Sequence, residues 1–270
     1  MLVSSRKMLR EARANKQAIF AFNVYNLESA QAVVRAAEKI GKPIIVQASQ
    51  KSLQYAGMEN LAYIVHSLAQ SASIPVVFHL DHGKDLSFVE RAIRSRLFTS
   101  IMYDGSSLTL EENIKNTARV VKMAHRARVE VEAELGVVGT ASGNKAVKIE
   151  YTDPAQAKEF VGKTKCDSLA VSFGNIHGAK TANEKLNFEV LKEIAQAIDI
   201  PLVFHGASHS TQAEIEKART LGVAKINIDT QLKQAFFVAI KKNSDADDPR
   251  LLLGAARDAM EKEAYRLLTY

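Results

Sequence analysis

Three histidines, His82, His177 and His205, each stand at the end of a short apolar run of strand-like composition. Three imidazoles around one open position are the donor set of a catalytic zinc site. A lone histidine is more often a hydrogen-bonded structural residue, but three at matching run ends favour a metal. Asp81 immediately precedes the first of them, where a carboxylate beside a metal-bound substrate can move a proton; as a structural residue it would accept a hydrogen bond near the ion. Glu134 closes another run two residues after Glu132, so both face the same side of a strand. Either can bind metal, pair with a cation or accept a histidine N–H, and Glu134 is carried with the three histidines as a candidate ligand. His79 lies within the run that ends at His82 and reads as an interior or supporting residue, while His66 and His125 fall in helical segments and take no role.

A second chemistry is written at two later run ends. HGASHST (205–211) leads into a helix beginning near Thr211, and its small residues expose backbone N–H groups to an incoming anion. Asn227, Ile228, Asp229 and Thr230 close the last run just before another helix. In an eight-fold β/α barrel the loops after the seventh and eighth strands frequently hold phosphate, so the two segments together point to a phosphorylated substrate. Plain helix caps made by Ser208, Ser210 or Thr230 would account for the same residues without one.

Elements at regular intervals must bring these residues together. Eight runs rich in Val, Ile, Phe and Ala recur: AIFAFNV (18–24), PIIVQAS (43–49), PVVFHLDH (75–82), SIMYDGS (100–106), VEVEAELG (129–136), SLAVSFGNIH (168–177), PLVFHGAS (201–208) and AKINIDT (224–230). Their length and composition suit buried parallel strands. Between them lie segments with helical spacing of apolar residues, such as Ala30, Val33, Val34 and Ala37, or Leu191, Ile194, Ala195 and Ile198. Strict alternation admits an open doubly wound sheet or a closed barrel; eight units in 270 residues favour closure, and no Gly-x-Gly-x-x-Gly opens a helix. The expected fold is therefore α/β, a single (β/α)8 TIM barrel domain over 1–270, with an added helix near 3–14 and a closing helix near 250–268. Runs start after Pro43, Pro75, Pro201 or Gly222 and end in Asn23, Ser49, Asp81 with His82, Asp104, Glu134, His177, His205 with Ser208, and Asn227 with Asp229. In this fold that rim is the reactive one.

Composition narrows the class. Hydrophobic residues make up 47% of the chain, enough for one sizeable core, and a net charge of +6 favours an anionic substrate. The basic residues are scattered without a stripe or an aromatic platform, which argues against nucleic acid. The acidic stretch Asp245 to Asp248 beside Lys241 and Lys242 reads as solvated helix surface. A single cysteine, Cys166, excludes an internal disulfide framework and fits the cytoplasm. The opening MLVSSRKMLREARANKQ does not read as a secretory signal, and no apolar run approaches the roughly 20 residues of a membrane span.

HLDHG (79–83), MYDGSSL (102–108), VEAELG (131–136), SFGNIHGAK (172–180), VFHGAS (203–208) and KINIDT (225–230), in this order, resemble class II, metal-dependent fructose-bisphosphate and tagatose-bisphosphate aldolases over nearly the whole length. The resemblance implies one zinc ion on His82, His177 and His205, and Asp81 as proton donor and acceptor at the C4 hydroxyl of a phosphorylated ketose. It further implies contacts to dihydroxyacetone phosphate from Gly178, from Gly206, Ala207 and Ser208, and from Asn227 to Thr230, with Asn23 and Ser49 as further substrate-side positions. A monovalent cation beside the zinc is left open. A homodimer or higher homo-oligomer is also implied, for which LLLGAARDAMEKEAYRLL (251–268) offers an apolar stripe; packing that stripe back on the barrel is its commoner use.

The chain departs from the family pattern in places. VVGTASGNKAVKIEYTDP (137–154) has Ala141 and Ser142 where a Glu-Asp-type loop would supply a second proton-transfer carboxylate, leaving Glu150 as a substitute if the loop folds back. HGAK lacks the usual Tyr and leaves Lys180 as a phosphate contact, and His209 replaces a small or acidic residue. Two other classes are weighed: a zinc hydrolase, disfavoured because the first run ends in Asn23 and Val24 without a His-x-His pair, and a non-catalytic sugar-phosphate-binding barrel, disfavoured because Asp81 is retained with all three histidines.

Overall fold

The computed structural model describes residues 1–136, 138–140, 150–178 and 185–270. In chain order the strands are β1 (Ile19–Asn23), β2 (Ile44–Ser49), β3 (Val76–Gly83), β4 (Ser100–Tyr103), β5 (Glu130–Leu135), β6 (Gly139–Thr140), β7 (Ser168–Val171), β8 (Ile176–His177), β9 (Leu202–Phe204) and β10 (Val223–Ile228). All but β6 and β8 close into a parallel barrel in the order β1, β10, β9, β7, β5, β4, β3, β2. Helices α1 (Ser5–Ala14), α2 (Leu27–Ile40), α3 (Gln50–Ala56), α4 (Met58–Ser71), α5 (Leu86–Ser95), α6 (Leu110–Arg126), α7 (Pro154–Thr164), α8 (Phe188–Ala197), α9 (Gln212–Thr220), α10 (Thr230–Lys242) and α11 (Pro249–Leu268) complete the (β/α)8 architecture.

Several crossover helices begin where the sequence supplies a cap. Asn26 with Ser29, Thr109 with Glu112 and Thr211 with Glu214 form reciprocal capping pairs, and Asp153 caps α7 ahead of Pro154. These side chains satisfy backbone N–H groups that have no partner inside the helix.

Strand alternation divides the side chains between two environments. Phe20, Phe22, Ile44, Val46, Val76, Phe78 and Leu80 point outward into the main core under the helices, where Phe78 stacks on Phe98 with ring centroids 4.7 Å apart. Inward positions turn from apolar to polar along β2 and β3: Ile45, Gln47 and Ser49 on β2, and Val77, His79 and Asp81 on β3, in the register Gln47↔His79 and Ser49↔Asp81. The apolar end is sealed by α1, whose Leu9 and Ala12 pack with Ala21, Ile45 and Val77. Glu130 anchors that helix by accepting from Ser4 Oγ at 2.7 Å and from the Ser5 N–H at 3.0 Å. The polar end is left as the open mouth.

The run 168–177 is not one strand. β7 stops at Val171, and the chain turns through residues 172–175 before Ile176 and His177 pair with Gly139 and Thr140 outside the barrel. Asn175 drives this turn: its Oδ1 accepts from the Phe173 N–H at 2.8 Å and its Nδ2 donates to the His205 carbonyl at 2.9 Å. The leading and closing helices lie where expected, α11 against α2 and α10. No helix among the described residues is long and apolar enough to cross a membrane.

Candidate functional site

Two of the three histidines leave barrel strands and the third arrives from outside. His82 sits near the end of β3 with φ of +48°, a left-handed conformation uncommon outside glycine that lifts its ring over the barrel mouth. His205 follows β9 directly. His177 is carried in by β8, its ring 5.0 Å from His82 and 5.7 Å from His205 between centroids. Potential ligand atoms of the three lie within 4.8 Å of one another.

Hydrogen bonding decides which nitrogens face inward. His82 Nδ1 donates to Asp104 Oδ2 at 2.9 Å, and His205 Nε2 donates to Glu132 Oε1 at 2.9 Å. Asn227 Nδ2 lies 3.1 Å from the same His205 nitrogen, but the closer carboxylate requires a proton there, and the amide turns to Asp81 Oδ1 at 3.4 Å. The other two nitrogens, His82 Nε2 and His205 Nδ1, then face each other at 2.9 Å with at most one proton between them. His177 Nε2 is buried without a hydrogen-bond partner among the described residues. Such a set fits a zinc ion: outer partners fix the tautomers, and the inward nitrogens have no better use.

Charge points the same way. Burial works against a charged His82, but Asp81, Asp104 and Glu134 outweigh it and raise its pKa to about 10. The acidic cluster thus demands a positive charge between the rings. Burial, then the neighbouring His82, lowers His177 to about 4 and His205 well below the usual imidazole range, keeping both neutral. Glu134 is pushed up to about 8 by burial and Asp104, and its Oε2 is buried with no hydrogen-bond partner among the described residues. His82, Asp104 and Glu134 form a second group whose ligand atoms could hold an ion.

Asp81 faces the same mouth. Asn23 Nδ2 donates to its Oδ2 at 2.8 Å, and Gln47 Nε2 in turn donates to Asn23 Oδ1 at 2.8 Å. Burial would raise the Asp81 pKa, but His82, His205, Lys225 and the Asn23 hydrogen bond hold it below the usual carboxylate range. The site therefore presents an oriented, ionised base.

An anion cradle borders the histidines. Gly206 has φ of +72° and its backbone lies against Ile176 and His177, where a Cβ would strike the Ile176 carbonyl. Ala207–His209 form a 3-10 turn, and Ser208 Oγ accepts from the N–H groups of Asp229 and Thr230, each at 3.2 Å, at the start of α10. Gly178, with φ of +99°, closes the side near His177. The Asp229 and Thr230 amides are held by the Ser208 hydroxyl at a helix N-terminus, a position where an arriving phosphate can take the hydroxyl's place.

Asn23, Ser49, Asp81, His82, Glu134, His177, Gly178, Gly206, Ser208, Asn227, Asp229 and Thr230 line one pocket of about 630 Å³. Ala207 and Ile228 are buried in the core and do not line it. Ser49 also caps α3 by accepting from the Ser52 N–H. Ala141, Ser142 and Lys180 lie outside the described residues. Sequence reasoning assigned no role to Asp104 beyond its run end, nor to Lys225, which lies two residues before Asn227 and so faces the barrel interior. It also missed Lys51, Lys84, Ser106 and Ser107 on the pocket wall.

Comparison with known proteins agrees with this geometry. Residues 3–269 match the family model described as fructose-bisphosphate aldolase class-II. The chain is 39% identical over 267 residues to the D-tagatose-1,6-bisphosphate aldolase subunit GatY of Klebsiella oxytoca, covering 96% of this chain and 94% of that one. It superposes on the crystal structure of the YdjI aldolase from Escherichia coli K12 with a TM-score of 0.90 and 39% identity, covering 100% of this chain and 97% of the other. A putative fructose-1,6-bisphosphate aldolase from Coccidioides immitis gives a TM-score of 0.91 at 31% identity, covering 98% and 96%.

Proposed function

Because this chain belongs to the class-II fructose-bisphosphate aldolase family, we propose that it catalyses the zinc-dependent, reversible cleavage of fructose 1,6-bisphosphate to dihydroxyacetone phosphate and glyceraldehyde 3-phosphate. The observation that carries this reading is the convergence of three inward imidazole faces and the ionised, amide-held Asp81 on one pocket, with an anion cradle at its edge.

His82, His177 and His205 would hold the zinc, with Glu134 beside them. When bound, zinc supplies Lewis acidity that polarises the ketose carbonyl and stabilises charge developing on the three-carbon fragment. The backbone amides near Gly206, Ser208, Asp229 and Thr230 take the phosphate next to the carbonyl and fix the reacting carbons over Asp81. In cleavage Asp81 removes the C4 hydroxyl proton as the C3–C4 bond breaks; in synthesis it returns that proton to the aldehyde oxygen.

Tagatose 1,6-bisphosphate or a related phospho-ketose is the second reading, the former supported by the likeness to the GatY subunit. The two ketoses differ in configuration at C4, the carbon whose hydroxyl Asp81 addresses, and they yield the same products. Purified protein should release triose phosphate from one or both in a zinc-dependent manner, with His205→Ala and chelator-treated samples inactive. Failure on both ketoses with zinc bound would overturn the aldolase reading in favour of a binding barrel, and release of inorganic phosphate would favour a hydrolase.

The reading extends to a cytoplasmic homodimer or higher homo-oligomer. Phe237 and Val238 on α10 and Leu251 on α11 are exposed apolar side chains available to a second copy. A monomer in sedimentation at micromolar concentration would remove that part.

A further inference from the structure

On a regular strand consecutive side chains point to opposite faces. Asp81 and His82 are consecutive, yet both line the pocket. The register with the neighbouring strand shows how. Leu80 pairs with Ile101 and Gly83 pairs with Tyr103, so two residues of β3, Asp81 and His82, stand opposite the single residue Met102 of β4. That is a β-bulge, an inserted residue that bends its strand and re-aims a side chain. Under regular alternation His82 would follow Leu80 into the core beneath the helices. The bulge gives that outward place to Gly83 instead, where an added Cβ would strike Val89 Cγ2 and the Met102 carbonyl.

The bulge leaves the His82 backbone at φ of +48°, a conformation that persists only where its surroundings hold it. One such hold is visible. The His82 N–H donates to Met102 Sδ at 3.4 Å. The Met102 side chain is fully buried and packs with Ala170 and Val203, in register with Glu132 of β5. A thioether suits this apolar layer because it accepts a hydrogen bond and brings no donor that would itself need a partner. Leucine would fill nearly the same volume and leave the amide without that acceptor.

Resting on the zinc site of the proposed function, we propose that Met102 is a positioning residue for that site. Its sulfur holds the His82 amide in the bulge, and the bulge turns His82 and Asp81 to the same side. A metal-facing imidazole and the proton-transfer carboxylate can then come from adjacent positions in the chain. Met102 itself does not line the pocket and acts only through His82.

Hydrogen exchange of the His82 amide in metal-free protein tests the contact directly. In wild type this amide should exchange at least about a hundredfold more slowly than an exposed one, and Met102→Leu should remove most of that protection. Zinc affinity of the folded protein, measured by chelator competition, should fall about tenfold in Met102→Leu, as when other partners that orient metal ligands are lost. Met102→Gln, which offers an oxygen acceptor at similar reach, should bind zinc more tightly than Met102→Leu. A residue serving by packing alone would rank the two variants the other way, because burying an amide costs more than burying a leucine. The proposal is overturned by an unprotected His82 amide in wild type, by protection or zinc affinity unchanged in Met102→Leu, or by a leucine variant that binds zinc more tightly than the glutamine one. A protected amide in a wild-type protein that binds no zinc defeats the zinc reading and leaves the bulge contact standing. Zinc binding with an unprotected amide defeats only this inference.

Discussion

Lys225 and Glu132 form a fully buried ion pair, Nζ to Oε2 at 2.7 Å, directly beneath the histidine cluster. The other oxygen of Glu132 accepts from His205 Nε2, so one carboxylate bridges the lysine and the imidazole and fixes the ring's tautomer. Lys225 Nζ also lies 3.2 Å from His79 Nε2, and His79 Nδ1 meets Ser100 Oγ at 2.8 Å, which ties the pair into the barrel wall.

Glu132→Gln should therefore weaken zinc binding about 10- to 100-fold, the usual cost of losing such an outer partner. Lys225→Met should destabilise the fold by about 3–5 kcal/mol, because it leaves a buried carboxylate unpaired. The double variant Glu132→Gln/Lys225→Met should regain stability without regaining affinity. Chelator competition and thermal unfolding separate the two effects; unaltered zinc affinity in Glu132→Gln would contradict the orienting role.

Gly206 couples the loop after β9 to the histidine cluster through the backbone. It must adopt a left-handed conformation directly after His205, and an added Cβ would strike the Ile176 carbonyl beside His177. Gly206→Ala should push β8 outward, lowering both zinc affinity and affinity for dihydroxyacetone phosphate by about tenfold or more while costing about 1–3 kcal/mol in stability. Zinc titration of the folded variant checks this, and normal affinity would show that β8 yields freely.

The barrel was legible because outward strand faces and helix stripes must both be apolar, and eight of each fit this length. The grouping of His82 and His205 was legible because strand ends share a rim. His177 reached the cluster by another route, through the turn built by Asn175, and reading 168–177 as one strand-like run concealed that break. Alternation placed Glu132 and Lys225 on the inner face, but their pairing joins strands 93 residues apart and depends on register across the barrel. Lys51 has the composition of any surface lysine; only closure of the barrel sets it on the pocket wall.

Asp81→Asn should reduce kcat about 10²- to 10⁴-fold with zinc content retained, since it removes the proton acceptor and spares the imidazoles. Asn23→Ala should cost less, about tenfold, because Asn23 orients that carboxylate through the 2.8 Å contact and does not itself take the proton. Single-turnover kinetics with zinc quantified on the same samples tests both; an Asp81→Asn variant that cleaves at the wild-type rate would assign the proton step elsewhere.

Proton release on zinc uptake decides whether Glu134 joins the histidines. In the ion-free cluster His82 has a pKa of about 10, because Asp81, Asp104 and Glu134 outweigh its burial, and Glu134 has one of about 8 through burial and Asp104. Both groups therefore hold a proton at pH 7, and a ligating atom must surrender it. Apparent affinity should climb about tenfold per pH unit for each proton displaced, from His82 below pH 10 and from Glu134 below pH 8. Calorimetry at pH 7 in buffers of different ionisation enthalpy should count close to two protons per zinc ion. Glu134→Gln should lower that count to about one if Glu134 ligates. A wild-type count near one would leave Glu134 as an unligated neighbour, and a count of zero would mean that His82 is already neutral before the ion arrives.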